Sequence, residues 1–297
     1  MKKLLTLSTA LLFTAGAAFA QSNEATLSQD GDDNEANIEQ VGGNNSAELN
    51  QGFENNGVIQ GQNNAFGEIL QDGEGNDATL NQRAWGNDGN EHSIDQLGDA
   101  NVANVDIYNG NNFGILVQEG SENNARMVQS GSEHESYIIQ TGDENYARSS
   151  STAGSGNVTA IAQGIPSVFA GMGGPQQLNL GLSFSPTAGN AATLGVKGSD
   201  NMAGILQIGL NNNAGSNPQS SGALGISIEG DGNVAGIAQL GSDNTANISV
   251  LGNTNIALIG QMGSSNTGSV MQDGSGNSAL IVQDGGSGSV LPTPVLD

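Results

Sequence analysis

Apolar and polar residues alternate along short stretches of this chain, and the alternation restarts every eleven residues. The clearest unit begins at Gln239, and it follows the pattern Q-x-G-x-x-N-x-A-x-I-x before the next unit starts at Val250. The Asn, Ala, Ile and Gln positions are spaced by two residues, so their side chains share one face of a strand. The intervening positions are mostly polar. This period of two predicts half-buried strands and not helices.

The x-G-x-x segment of each unit predicts a turn, because glycine accepts the positive φ that a chain reversal needs. One eleven-residue half-repeat therefore comprises a strand and a turn, and two half-repeats form a coil of 22 residues. Self-similarity at a short, fixed period is typical of stacked architectures. We expect an all-β fold, a β-solenoid of stacked strand-turn-strand coils around a thin core of Ala, Ile and Leu, with amyloid-like cross-β spacing.

Stacking places like residues over like at about 4.8 Å, so inward amide side chains can hydrogen-bond along the axis as interior ladders. The Gln positions assigned to these ladders are Gln29, Gln40, Gln51, Gln118, Gln129, Gln140, Gln239, Gln261, Gln272 and Gln283. The Asn positions are Asn34, Asn45, Asn123, Asn233, Asn244, Asn266 and Asn277. The turn glycines are Gly31, Gly42, Gly120, Gly131, Gly241, Gly263 and Gly274. The same phase also assigns a motif copy to Gln60.

Residues 1–20 have the pattern of a secretory signal peptide. Lys2 and Lys3 precede a short apolar core, and an Ala-Phe-Ala cleavage site ends at Ala20. The remaining chain divides into repeats at 21–163, an irregular insertion at 164–189, further repeats at 190–288 and a tail at 289–297. Within the insertion, 177–184 alternates as one degenerate strand, and we expect it to bulge from one solenoid instead of separating two. A smaller insertion carries Trp85.

Composition excludes several partners and reactions. The chain has no cysteine, and after residue 20 only Arg83, Arg126, Arg148 and Lys197 are basic, against thirty acidic residues. This balance argues against nucleic acid and against an anionic membrane surface as partners. No other stretch is long enough to insert into a membrane. The acidic residues lie mostly in turns and at outward positions, where they favour solubility and delay aggregation.

No catalytic or cofactor-binding motif accompanies the repeats, so we expect no enzyme activity and no cofactor. His92 and His134 occupy an Ala and an Asn position of the repeat, which favours a structural or incidental role. Acidic pairs such as Asp32 and Asp33 leave Ca²⁺ as an alternative, although the nonapeptide of calcium β-rolls is not repeated.

Some outward positions are apolar and suggest a lateral contact or adhesion surface. They are Phe113, Ile115, Val117, Tyr137, Ile139, Ile256, Leu258, Leu280 and Val282. The alternative is that the insertion at 164–189 covers them within the same molecule.

The repeat resembles that of the curlin family, whose subunits form the curli fibres of Gram-negative biofilms. The unit from Gln40 to Gln51 carries Q-x-G-x-x-N followed by Ala, an aliphatic residue and Gln at the family's spacing. The resemblance implies a functional amyloid that is secreted through the periplasm and polymerises with itself at the cell surface or fimbrium. It implies a nucleator curlin, an outer-membrane secretion channel and periplasmic chaperones as partners.

Three alternatives stay open. The chain could be a nucleator or accessory curlin, since its first repeat begins near Asn23 without a Gly-rich leader and its length is about twice the usual one. It could be a non-polymerising secreted β-solenoid adhesin or ice binder, which should have capped ends and, for ice, flat ranks of outward Thr. A polysaccharide lyase solenoid would need convergent basic and acidic residues. Full motifs in the first and last strands favour uncapped ends and fibre growth.

Overall fold

The computed structural model describes residues 22–55, 58–60, 64–83, 89–164, 188–215 and 225–285, without the side chains of 53–55 and 58–60. The secondary structure of this part consists of strands and contains no helix. The strands stack in two parallel sheets, so the chain is all-β and compatible with a β-solenoid.

Successive strands of the repeats alternate between two sheets, which we name sheet A and sheet B. Sheet A contains β1 (Glu24–Gln29), β3 (Ser46–Gln51), β7 (Asp77–Arg83), β9 (Val102–Tyr108), β11 (Asn124–Ser132), β13 (Tyr146–Ser155), β15 (Ala191–Lys197), β17 (Asn213–Ala214), β18 (Ile226–Glu229), β20 (Thr245–Leu251) and β22 (Thr267–Asp273). Sheet B contains β2 (Glu35–Gly43), β6 (Phe66–Glu74), β8 (Glu91–Leu97), β10 (Phe113–Glu119), β12 (Glu135–Thr141), β14 (Val158–Gln163), β16 (Met202–Leu210), β19 (Val234–Ser242), β21 (Ile256–Ser264) and β23 (Ser278–Asp284).

The strands of each sheet pair in parallel with like residues in register. In sheet B, Leu116 lies between Ile94 and Ile138, each 22 residues away. Coils are longer where extra residues loop out, and the step from Ser46 to Asp77 takes 31 residues. Because β17 and β18 both lie between β15 and β20, the described stack has ten layers. At about 4.8 Å per layer the stack is on the order of 45 Å long.

The core is one thin layer of inward side chains between the two sheets. Leu49, Leu80, Ile69 and Ile94 are fully buried, and small inward residues such as Ala78 sit between the larger ones. Inward and outward positions alternate along each strand, as in β7 with Ala78, Leu80 and Gln82 inside. Burial of each large aliphatic side chain contributes about 1.5–3 kcal/mol, which drives the collapse of sheet on sheet.

Stacking of the turns explains the repeated glycine better than chain reversal alone. All seven predicted turn glycines have positive φ, between 96° and 143°. In addition, a Cβ added at Gly252 would overlap the carbonyl oxygen of Gly274 in the next layer, and the same relation joins Gly120 to Gly142. The turn backbones therefore approach along the axis more closely than any side chain permits.

Two sequence predictions change. The motif copy at Gln60 is wrong, because β4 (Phe53–Asn55) and β5 (Val58–Gln60) form an antiparallel hairpin outside both stacked sheets. The insertion is shorter in the stack than 164–189, since Ala188 already bridges Asp143 and Leu210. The predicted strand at 177–184, Trp85 and the tail at 289–297 lie outside the described residues.

The stack continues across the insertion. Strand β14 pairs with β16 and β13 pairs with β15 in unbroken parallel register, with Gln163 opposite Gln207. The repeats before and after the insertion therefore share the same two sheets.

Axial packing of the turns predicts a large difference between two glycine substitutions. Gly252→Ala should lower the free energy of unfolding by at least ~2 kcal/mol more than Gly276→Ala, because only the former creates an overlap with backbone. Gly276 also has positive φ, but nothing lies within 4 Å of an added Cβ. Urea unfolding of the two variants measures the difference. Equal losses would mean that φ alone explains the turn glycines.

Candidate assembly site

A single ladder of glutamine side chains runs through every described layer of sheet B. In each step the Nε2 of one Gln donates to the Oε1 of the Gln in the next layer, at 2.7–2.9 Å. Its members are Gln40, Gln71, Gln96, Gln118, Gln140, Gln163, Gln207, Gln239, Gln261 and Gln283. Four of them, at 71, 96, 163 and 207, were not among the ladder residues assigned from sequence, although they have the same motif phase.

Each ladder amide also ties one sheet to the other. Gln118 Nε2 donates to Gln140 Oε1 at 2.9 Å and to the backbone oxygen of Val102 in sheet A at 3.0 Å. Gln118 is fully buried, so both bonds form away from water. Removal of one such amide would leave its ladder neighbours unpartnered, which typically costs about 1–3 kcal/mol per group.

The corresponding ladder in sheet A is short. Gln29 donates to Gln51 at 2.8 Å and Gln51 to Gln82 at 3.0 Å. The next layer has Ile107 at this position, which interrupts the series.

A histidine crosses that interruption. Gln82 Nε2 lies 3.2 Å from His92 Nδ1, and His92 Nε2 lies 2.6 Å from Gln129 Oε1. An amide donor on one side and an amide oxygen on the other fit the tautomer that is protonated at Nε2. His92 has room because the inward positions above and below it are Gly67 and Gly114. The Ala position that His92 fills therefore serves a structural hydrogen-bond role.

Two predicted ladder glutamines have no Gln partner. Gln129 pairs with His92, and Gln272 Nε2 donates to the backbone oxygen of Ile256 while its Oε1 has no partner in the described part. The physical reason is that the intervening layers of sheet A carry residues without an amide at this position, namely Ile107, Ser151, Val196, Ile228 and Val250.

Asparagines form two further rows, at the turns that lead into the strands. Where consecutive layers both carry Asn, the backbone N–H of the later Asn donates to the Oδ1 of the earlier one, as Asn123 does to Asn101 at 3.1 Å. One row contains Asn23, Asn45, Asn76, Asn101, Asn123, Asn145, Asn190, Asn212, Asn244 and Asn266. The other contains Asn34, Asn90, Asn112, Asn157, Asn201, Asn233, Asn255 and Asn277, with Ala65 and His134 in the remaining layers.

The ladders have a direction. Gln side chains donate toward the C-terminal end of the stack, whereas Asn side chains accept from the layer nearer that end, as Asn255 Oδ1 does from Asn277 N at 2.9 Å. The C-terminal end therefore presents a Gln donor and Asn acceptors, and the N-terminal end presents the opposite groups. Such a polar stack can be extended by a copy in the same orientation.

The predicted lateral residues separate into two groups. Ile256, Leu258, Leu280 and Val282 are exposed, with relative accessibilities of 38–65%. The remaining group is not an open surface. Phe113, Ile115 and Tyr137 are half-buried, and the rings of Phe113 and Tyr137 lie 5.8 Å apart.

Val117 and Ile139 are buried, which agrees with the alternative that they are covered within the same molecule. They are 9% and 5% exposed, although neither belongs to the core cluster between the sheets. Alternation along a strand gives the direction of a side chain, but it does not say what packs over that side chain.

Charge is unevenly distributed over the outer faces. Outward positions of β2, β6 and β8 carry carboxylates, and Asp95 among them has a raised pKa because of partial burial and the neighbouring Glu68, Asp72 and Glu119. All four basic residues that follow residue 20 lie at outward positions of sheet A. Two of them form ion pairs, Arg126 with Asp106 at 3.5 Å and Lys197 with Glu229 at 2.7 Å.

The described residues contain no group of three or more His, Asp or Glu side chains arranged to hold a metal ion. Within the same part of the chain, no helix has the length and apolar character needed to cross a membrane.

Burial of the histidine predicts acid sensitivity. Desolvation lowers the pKa of His92 to about 4, against the opposing effect of its bond to Gln129. As the pH falls below about 6.5, His92 becomes protonated in the unfolded chain but stays neutral in the folded chain. The free energy of unfolding is therefore highest above about pH 6.5 and decreases as the pH falls toward 4. The loss attributable to His92 approaches about 3 kcal/mol at pH 4.

Unfolding free energy measured from pH 7.5 to 4 in the wild type and in His92→Gln isolates this contribution. Between pH 7.5 and 4 the wild type should lose more unfolding free energy than the variant does, because the variant lacks the titrating group. His134, whose burial also lowers its pKa, contributes equally to both proteins and cancels. A difference that stays constant with pH would contradict the assignment.

The model of the curlin associated repeat matches residues 20–59, 110–142 and 263–290. These regions lie on both sides of the insertion and include layers at both ends of the stack. Comparison of the whole chain with curated protein sequences gives no match. Three separate regions of the chain are thus similar to the curlin associated repeat, and the resemblance inferred from the spacing of Gln, Gly and Asn is confirmed.

Proposed function

We propose that this chain is a structural subunit of an extracellular curli-type amyloid fibre, in which β-solenoids stack head to tail. The eleven-residue half-repeats would then continue from subunit to subunit as uninterrupted cross-β ladders. One observation carries the proposal: the two ends of the stack complement each other in sheet order, in register and in the direction of their hydrogen bonds.

The sheet order at the two ends allows seamless stacking. The first described strand, β1, lies in sheet A and the last, β23, lies in sheet B, so the stack contains complete coils. A second copy placed on the C-terminal end brings its β1 onto β22 and its β2 onto β23. Extension of the internal register sets Gln283 opposite Gln40 of the second copy, with sheet A and sheet B both continuous.

The amide ladders match across this junction. Gln283 Nε2 donates to the backbone oxygen of Thr267 at 2.9 Å, but in the described part it has no further Gln to donate to. Gln40 is the first member of its ladder, so its Oε1 accepts from no earlier layer of the described stack. The junction joins this donor to this acceptor, and it sets Asn23 of the second copy over Asn266.

The N-terminal end also leaves core residues open. Leu27 lies at an inward position, in register with the fully buried Leu49, yet it is 43% exposed. A second copy that covers this end removes apolar surface from water, which contributes on the order of 1 kcal/mol for such a half-exposed side chain. It also pairs the backbone of a bare sheet edge, the feature that makes edge strands assemble.

Secretion and partners form the finer part of the proposal. The signal-peptide pattern of residues 1–20 and the curlin match support export through the periplasm to the cell surface of a Gram-negative bacterium. On the same basis we propose a nucleator curlin, an outer-membrane secretion channel and periplasmic chaperones as partners. The fibre would serve in the biofilm matrix and in surface adhesion.

A pair of substitutions on one strand tests the head-to-tail junction. Leu27→Asp places a charge in the core of the junction and should stop addition of subunits to wild-type seeds, because a buried carboxylate has no partner there. Ser28→Asp adds the same charge at the neighbouring outward position and should leave seeded growth close to that of the wild type. Thioflavin T fluorescence of residues 21–297 diluted from denaturant, with seeds, measures the rates.

Equal growth of the two variants would contradict the junction. A wild-type chain that stays a soluble β-rich monomer with or without seeds would favour the non-polymerising adhesin. If wild-type fibres form and trace amounts also abolish the lag of a standard curlin, the chain acts as a nucleator and not only as an extending subunit.

A further inference from the structure

Outward side chains of β19, β21 and β23 form a continuous uncharged surface, which we name the C-terminal apolar face. It consists of Val234, Ile256, Leu258, Met262, Leu280 and Val282, with relative accessibilities from 37% to 65%. None of the outward positions of β19 and β21 carries a charge, and Asp284 lies at the edge on β23. The face adjoins the proposed junction, since β23 is the last strand of the stack.

The same sheet is acidic at its other end. Outward positions of β2, β6 and β8 carry carboxylates at Glu35, Glu39, Glu68, Asp72, Glu91 and Asp95, and Glu74 at the end of β6 is also exposed. The whole chain has a formal net charge of −24, so two copies repel over most of their surfaces. At the C-terminal apolar face a second copy can make contact without bringing negative charges against each other.

On β21 the outward surface of this face is complementary to itself. Register places Gly236, Leu258 and Leu280 in one rank along the stacking axis. The Cδ2 of Leu258 lies 3.0 Å from where a Cβ of residue 236 would be, so this rank protrudes at Leu258 and Leu280.

The adjacent rank is hollow on β19 and β21 only, because its residue on β23 is a valine. It contains Ala238, Gly260 and Val282 in register. At Gly260 the nearest described atom to an added Cβ is a backbone oxygen 4.0 Å away. On β21 the side chain of Leu258 therefore stands beside the open position of Gly260, whereas on β23 Leu280 stands beside Val282.

We propose that the C-terminal apolar face joins two filaments of this chain side by side, each subunit meeting a second copy through a two-fold axis parallel to the stacking axis. This operation exchanges the two ranks, so Leu258 of each copy faces Gly260 of the other. The contact is isologous, with the same residues on both sides. It rests on the proposed fibre, in which it recurs once per subunit and so gains strength by multivalency.

The same alignment brings the acidic outer faces of β2, β6 and β8 of the two filaments toward each other. Their repulsion opposes the apolar contact and is screened by salt, with a Debye length of about 10 Å at 0.1 M. The fraction of filaments that are paired should therefore rise as NaCl is raised, while single filaments persist at low salt.

Substitutions on the face separate bundling from elongation. The double variant Leu258→Ser, Leu280→Ser should elongate from seeds as the wild type does but lose paired filaments in electron micrographs. Met271→Ser is the matched control, because Met271 is 83% exposed on the outer face of β22 in sheet A. It removes a comparable side chain from the opposite sheet and should form pairs as the wild type does.

A second pair of variants tests the geometry. Gly260→Leu fills the hollow and should abolish pairing without loss of elongation, since the site has open space and no positive φ. Addition of Leu258→Gly to this variant recreates a hollow opposite the new leucine and should restore pairing. Failure of the rescue while Gly260→Leu still abolishes pairing would overturn the proposed two-fold arrangement.

The remaining outcomes distinguish this contact from the fibre itself. Wild-type chains that form no fibres would overturn both proposals. Normal fibres with an unchanged fraction of paired filaments in the Ser variant would overturn the lateral contact and leave the head-to-tail junction intact. Loss of adsorption to neutral lipid vesicles with unchanged bundling would assign the face to surface adhesion instead of to a second copy.

Discussion

Amide side chains buried in a thin core can be satisfied only if every layer stands in register with the layers beside it. Gln118 shows the constraint in one residue, because its amide binds Gln140 along the axis and the backbone of Val102 across the core. A slip of one residue would turn the amides outward and the charged positions inward. The aliphatic residues supply the drive for burial, and the Gln and Asn ladders select one register from the many that alternation alone permits.

The same constraint connects the fold to assembly. The hydrogen-bond pattern of a ladder repeats from layer to layer, so a further layer can extend it. The last amide is as well placed to donate as those before it. The described layers begin in one sheet and end in the other, with a Gln donor and Asn acceptors at the C-terminal end and the opposite groups at the N-terminal end. Most of the carboxylates lie in the first half of the chain, where 23 of the thirty precede residue 149. Repulsion between these carboxylates opposes stacking, and its strength depends on salt and pH.

Sequence was most informative where one residue type has one physical use. The Gln and Asn spacing located Gln118, Gln140 and Asn123 because only an inward amide on a strand explains that period. Glycine was assigned from φ, while the axial approach of Gly252 to Gly274 depends on stacking and has no local signal. The bridge by His92 could not be predicted, since it needs the gap at Ile107 in one sheet and the glycines around it in the other. Gln60 carried the motif phase, but nine extra residues in that coil form a hairpin instead.

The axial repeat of the fibre tests the central claim most directly. Helical reconstruction of wild-type fibres by cryo-electron microscopy should give one subunit for every ten strand spacings, a rise on the order of 48 Å, with β1 seated on β22 and β2 on β23. Continuous density for the Gln ladder should pass from Gln283 to Gln40 of the next subunit. A rise that is not a whole number of complete coils, or a junction in which the two sheets change places, would contradict the account.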